Sequence, residues 1–281
     1  MTTRPRVLPS GWYPTTQAAC RAEIDGYVAG VAPLPAGTKV YGGLVPHAGW
    51  YFSGKLAAQI FYLASLAFQP QVVAVCGGHL GENSPPLLVT EDAWETPLGN
   101  LPLATDLYEP LRRRLNFRAE YAGDNTVEVQ LPFVKHFFPQ AKVLALRAPH
   151  SVKALEVGEA VVAVAQEKKL SLLIFGSTDL THYGPNYGWA PQGFGRQAVK
   201  WVREVNDKRF IDEALKLNGP GMLQAAAQDQ SACSGGGAAA AVAGATKLGA
   251  TKARLIDYYT SYDIMPSDSF VGYAGIILTG G

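Results

Sequence analysis

The sequence predicts an α/β fold with three layers, α-β-α, built over a mainly parallel or mixed central sheet. Three observations carry that prediction. Short continuous apolar runs, Val40–Val45, Val72–Cys76, Val143–Leu146 and Leu172–Phe175, have the length and make-up of strands buried on both faces. Longer segments with helical spacing lie between them, so strands and helices alternate through most of the chain. Neither an internal repeat nor a Ser/Gly-rich linker interrupts the 281 residues, so residues 1–281 read as one domain, long but within the range of large α/β folds.

After an N-terminal segment containing Gly11-Trp12-Tyr13-Pro14, a helix is expected over Thr16–Gly30, and Pro33 and Pro35 break the chain before the first core strand. Leu56, Ile60 and Leu63 recur at helical intervals and mark a helix over Gly54–Leu66, with Ser53 placed to cap it. Strand Val72–Cys76 follows, then a loop and a strand around Leu87–Thr90. Turn punctuation in Trp94–Asn100 precedes a helix over Thr105–Leu115. Val127–Phe138 is expected to be helical, with Pro132 in its first turns. Strand Val143–Leu146, helix Lys153–Gln166 and strand Leu172–Phe175 come next. A loop rich in Gly, Pro and Tyr, Tyr183–Phe194, has the character of a lid or binding segment. Helices over Arg196–Leu217, Gly219–Ala227 and Gly235–Leu248, then strands over Ala253–Tyr262 and Phe270–Leu278, complete the chain. The alanine run within Gly235–Leu248 reads as a closely packed helix.

The composition, 48% hydrophobic and 17% charged, suits a well-buried globular core. A net charge of +1 offers no electrostatic case for nucleic acid or an anionic membrane surface. The basic run Arg112-Arg113-Arg114 is most simply a solvated helix end. No apolar stretch reaches the roughly 18 residues needed to span a bilayer. The N-terminus lacks an apolar signal core, and the 3 cysteines, Cys20, Cys76 and Cys233, are too few and too scattered for a disulfide framework. A reducing, cytoplasmic location is therefore expected.

Function is pointed to by histidines. His47, His79 and His182 each lie just past an apolar, β-rich run, in Pro46-His47-Ala48-Gly49, Gly77-Gly78-His79 and Ser177-Thr178-Asp179-Leu180-Thr181-His182. Residues beyond the carboxyl ends of such strands gather in one crevice of an open α/β sheet, so three imidazoles there suggest a metal or an acid/base site. Gly77-Gly78 also suits a phosphate-cradling turn, but neither a dinucleotide fingerprint nor a P-loop accompanies it. Cys233 precedes a glycine-rich helix start, where a thiolate is stabilised; it suits a nucleophile, a soft metal ligand, or a small buried residue at a tight turn. Asp179 is three residues from His182 and could fix its tautomer and raise its basicity. Glu128 is either a pocket carboxylate or an ordinary first-turn acid. Trp50, Tyr51 and Tyr183 are expected as walls for an aromatic ligand. Cys76 and Cys20 read as core, His136 as structural, and His150 has no assigned role.

Taken in order, several segments resemble the Memo family. They are Gly11-Trp12-Tyr13-Pro14, Pro46-His47-Ala48-Gly49 through Ser53-Gly54, Gly78-His79, and Trp94 with Thr96-Pro97-Leu98-Gly99. Val127–Phe133, Ser177–Gly184, Cys233 before its glycines, and Asp268-Ser269 with Gly272-Tyr273-Ala274 continue the series to the end of the chain. That family is similar in fold to the class III extradiol ring-cleaving dioxygenases, which hold ferrous iron at the end of an α/β sheet. The resemblance implies that His47, His79 and Cys233 are the metal ligands and His182 the acid/base, with Asp179 beside it. Cysteine departs from the carboxylate of the dioxygenases and also favours copper or zinc. Asn125 stands where the family usually has histidine, and Cys76-Gly77-Gly78-His79 stands for its Gly-Pro-x-His.

The leading expectation is a non-haem iron oxidoreductase, a dioxygenase, acting with dioxygen on a small phenolic or otherwise oxygenated substrate. A second reading is a metal- or peptide-binding partner protein without chemistry, since some Memo family members are described as signalling effectors. A third is metal-assisted hydrolysis. The sequence leaves the substrate, the metal and the oligomeric state, a homo-oligomer included, undecided.

Overall fold

A computed structural model describes residues 2–281. Its main sheet has nine strands and a parallel centre. Lys39–Val45 pairs with Leu172–Ser177, which pairs with Val72–Leu80, which pairs with Lys142–Pro149, all parallel. Phe270–Gly280 runs antiparallel beside Lys39–Val45 and carries Lys252–Thr260 and the short His182–Tyr183 on its other side. The sheet is therefore mixed, and the apolar runs of its parallel strands are buried: Val72 through Cys76 are at most 1% exposed.

Helices cover both faces. Trp50–Ala67 lies against Lys39–Val45 and Phe270–Gly280, with Gln17–Val28 packed outside it. On the opposite face, Gly235–Leu248 crosses Leu172–Ser177 and Val72–Leu80, flanked by Lys153–Glu167 and Gly219–Asp229. The three-layer expectation holds.

The alanine- and glycine-rich face of Gly235–Leu248 is what allows its backbone to touch its neighbours. A Cβ on Gly237 would stand 2.5 Å from the Cys76 carbonyl oxygen, and one on Gly158 only 1.9 Å from that of Ala240. Because backbone cannot swing aside, Gly158→Ala is expected to destabilise the protein by about 1–3 kcal/mol or more. A urea midpoint equal to that of the wild type would contradict this contact.

Several elements depart from expectation. The helix assigned to Gly54–Leu66 begins at Trp50 with Gly49 as its cap, so Ser53 lies inside it and its hydroxyl donates to Ala48 O at 3.0 Å. Val127–Phe138 divides into Asn125–Glu128 and Leu131–Phe137. Arg196–Leu217 divides into Arg196–Trp201 and Asp207–Leu215 around a π-helical stretch, Val202–Asn206. A three-stranded sheet of Thr3–Arg4, Ala93–Trp94 and Leu101–Pro102 was not foreseen, because two-residue strands leave no periodic signal. No helix among the described residues is long and apolar enough to cross a membrane.

Candidate metal centre and its crevice

Strand register brings the proposed ligands together. Val45 is level with Ser177, and Cys76 with Gly176, so the chain segments that leave these strands emerge side by side. His47 follows the first strand, His79 ends another, and Cys233 arrives from the turn before Gly235–Leu248. Gly78 permits that arrival: a Cβ there would lie 2.3 Å from Ser234 Oγ. The Cys233 turn is tied down by its own amide donating to Asp179 O at 3.2 Å and by Ser234 N donating to Thr178 Oγ1 at 3.1 Å. One ligating atom from each of His47, His79 and Cys233 lies within 4.8 Å of the others.

The donor set fits a cation. Cys233 Sγ lies 3.1 Å from His47 Nε2. With metal–nitrogen and metal–sulfur bonds of ~2.1 and ~2.3 Å, two donors that close are within reach of one cation. His79 Nδ1 donates to Asp124 Oδ2 at 3.2 Å, which leaves Nε2 as its free lone pair. A carboxylate behind a ligating imidazole is the usual outer partner of a metal site. His47 Nδ1 lies 3.3 Å from Ser177 Oγ, so its Nε2 is likewise the atom turned toward the cysteine. Burial lowers the His47 pKa to about 3, with the neighbouring His79 adding to the effect, so the imidazole is neutral and able to ligate at ordinary pH. Burial pushes the Cys233 thiol up; a bound cation is what would favour its thiolate.

His79 itself sits at φ +58°, a left-handed conformation unusual for a residue with a side chain. The group that holds it there is Arg147, level with Gly77 on the adjacent strand. Its guanidinium donates to Gly78 O at 2.8 Å and to His79 O at 3.3 Å, bonds Glu120 Oε2 at 2.7 Å, and pairs with Asp124 Oδ2 at 3.3 Å. One buried arginine thus grips both the backbone of His79 and the carboxylate beside its ring.

Beside the cluster opens a crevice of about 350 Å³, lined by His47, His79, Asp179 and His182 among others. His182 Nδ1 donates to Leu180 O at 3.1 Å; a carbonyl only accepts, so Nε2 carries the lone pair. Burial lowers the His182 pKa, partly opposed by the charge of Asp179. Asp179 does not hold that ring by a hydrogen bond, as its spacing had suggested. Its Oδ1 accepts from His47 N at 2.6 Å and Ala48 N at 3.3 Å, fixing the loop that carries His47. Burial raises the Asp179 pKa, against the pull of His182 and these amides.

The four residues expected to bind substrate are absent from the crevice lining. Trp50 is in the core, stacked on Phe133 at 4.2 Å with its indole N–H on Val129 O. Glu128 is buried and accepts from Val7 N, Leu8 N and Tyr13 Oη, so it anchors the N-terminal segment. Tyr183 stacks on Phe270 and donates to Gly193 O at 2.8 Å, pinning the Tyr183–Phe194 loop. Tyr51 is exposed and borders other surface hollows. In each case the aromatic or acidic character was legible, but the direction of the side chain was not.

Other residues take those places. Trp12 and Phe52 supply apolar wall, and Asn186, Tyr187 and Tyr273 supply polar atoms. Asn186 and Tyr187 belong to the loop already singled out by its composition. Asp124, which sequence reasoning passed over, caps Asn125–Glu128 by accepting from Thr126 N at 3.0 Å and turns its other oxygen to His79. Asp207 and Asn206, from the π-helical stretch and its end, grip Thr181 next to His182; burial raises the Asp207 pKa to about 6. His136 pairs with Asp25 at 3.3 Å, and His150 Nε2 donates to Leu223 O. Cys20 and Cys76 are buried, as expected.

Comparison with known proteins shows the family. The family model described as Memo-like protein matches residues 4–277. A MEMO1 family protein of Methanopyrus kandleri is 32% identical over 250 residues, covering 85% of this chain and 83% of that protein. Another, from Methanothermobacter thermautotrophicus, is 29% identical over 98% of this chain and 99% of its own length. The solved structure of an uncharacterized protein of Escherichia coli K12 overlaps with TM-score 0.46 and 11% identity, over 77% of this chain and 90% of that one, too loosely to speak to function. The ordered motifs and a match that runs through nearly every element place this chain in the Memo family.

Proposed function

We propose that the crevice is the active site of a non-haem iron dioxygenase acting on a small phenolic or otherwise oxygenated substrate. The observation that supports this most is the convergence of His47, His79 and Cys233 beside a histidine, His182, with a free ring nitrogen in the same crevice. Those three residues would hold the metal, ferrous iron before copper or zinc. When bound, the iron would supply a redox centre for chemistry with dioxygen.

The chain's own residues do the rest. His182, kept neutral by burial, accepts the proton of a substrate hydroxyl at Nε2 and later returns it. Asp179 favours the imidazolium formed meanwhile through its charge rather than through a hydrogen bond. Tyr187, edge-on to the His182 ring at 4.9 Å, limits how that ring can turn. Trp12 and Phe52 keep water from one wall.

The test is to load the full chain with ferrous iron without air, add catechols and admit dioxygen. Oxygen uptake with a yellow ring-opened product is expected. His182→Gln should retain the metal and turn over about a hundredfold more slowly. Metal binding with no turnover of any phenolic substrate would reject the dioxygenase in favour of a metal-binding partner protein.

A further inference from the structure

The His182 ring is held by a backbone carbonyl: Nδ1 donates to Leu180 O at 3.1 Å. That carbonyl belongs to the Leu180–Thr181 peptide, and the N–H of the same peptide donates to Asp207 Oδ1 at 3.0 Å. The peptide is trans, so its C=O and N–H point opposite ways. A continuous series therefore runs from the Asp207 carboxylate through Thr181 N–H and Leu180 C=O to His182 Nδ1–H.

Asp207 is fully buried, and no lysine or arginine pairs with it among the described residues. Its Oδ2 accepts from Tyr258 Oη at 2.7 Å, and Oδ1 also takes the Thr181 hydroxyl. Gly272 leaves room for it, since a Cβ there would stand 1.9 Å from Oδ2. Its neighbour Asn206 donates to Thr181 Oγ1 at 2.8 Å and to Asp229 O at 2.9 Å. Both side chains turn inward where the π-helical stretch Val202–Asn206 shifts the face of the helix. Burial raises the Asp207 pKa to about 6, which leaves it mostly ionised at neutral pH.

A buried carboxylate without a cation is costly. Gripping Thr181 needs no charge, because an amide oxygen also accepts from a backbone N–H. What the charge adds is polarisation. A peptide whose N–H points at an anion accepts more strongly at its oxygen. Here that oxygen keeps the His182 proton on Nδ1 and the lone pair on Nε2, and its bond strengthens once the ring is charged.

We infer that Asp207 is a carboxylate partner of His182, acting through the Leu180–Thr181 peptide to hold the Nδ1–H tautomer and to steady the imidazolium. It is a positioning residue, touching neither the ring nor the crevice. The inference rests on the proposed function only for what the free Nε2 does.

Nitrogen NMR of the metal-free full chain labelled at histidine reads the tautomer, with His182→Gln identifying the signal. The neutral wild-type ring is expected to carry its proton on Nδ1. Asp207→Asn, which keeps the size and removes the charge, should raise the Nε2–H share severalfold. In the iron-loaded chain acting on catechol it should lower kcat about tenfold with KM unchanged. Asn206→Ala, which loosens Thr181 without touching the charge, should leave the wild-type tautomer. A wild-type ring protonated at Nε2 overturns the inference. So does a folded Asp207→Asn protein with the wild-type tautomer or the wild-type kcat, or an equal tautomer shift in Asn206→Ala. No turnover by the wild type overturns the proposed function instead, and the NMR signals still decide the inference.

Discussion

Replacing Arg147 with methionine is expected to lower stability by about 3–5 kcal/mol and to weaken metal binding by roughly 10–100-fold. Both effects come from one guanidinium that is only 8% exposed. Without it, the buried Glu120 carboxylate loses its 2.7 Å partner and Asp124 loses the cation beside it, so negative charges are left uncompensated away from water. The Gly78 and His79 carbonyls lose their donors at the same time, and the left-handed His79 backbone is no longer held. Arg147→Lys should fall between, since it keeps the charge but not the fork that reaches several acceptors. Chemical unfolding and a competition titration with a chelator would measure the two effects. A loss below 1 kcal/mol with unaltered affinity would show that the arginine merely fills space.

Replacing Cys233 with alanine should have the largest effect on the metal. It removes a ligand rather than a ligand's partner, so the fall in affinity should exceed the 10–100-fold typical of outer partners. A pH signature should disappear with it. In the folded protein burial raises the thiol pKa, so the proton remains until a cation displaces it. Wild-type affinity should therefore increase as pH rises, with release of a proton on binding. His47 contributes no such release above about pH 4, because its pKa is already lowered to about 3 and the ring is neutral. Calorimetry in buffers of different ionisation enthalpy would count the protons. Cys233→Ala with wild-type affinity and unchanged proton release would remove sulfur from the ligand set.

The sequence was most legible where its signals were local and periodic. Unbroken apolar runs located the four parallel strands because burial on both faces leaves no place for polar residues. The rule that strand ends converge then directed attention to His47, His79 and His182. Ring and carboxylate placements were less legible. Trp50 and Tyr183 have the composition of pocket walls, yet a large aromatic gains more by stacking inside, on Phe133 and Phe270. Glu128 bonds backbone amides more than a hundred residues earlier in the chain, a partnership no local spacing announces.

What the sequence by itself determined is the layered α/β architecture, which follows from periodicity and burial within short segments, and the family, which follows from the order of its motifs; the candidate metal and acid/base residues are what that resemblance implies. Only the tertiary structure decided the pairings: Asp124 behind His79, Asp179 on the His47 loop rather than on the His182 ring, and Arg147 beneath the left-handed His79. Such pairings depend on strand register and on which face each side chain takes, and those are set by packing among segments far apart in the chain.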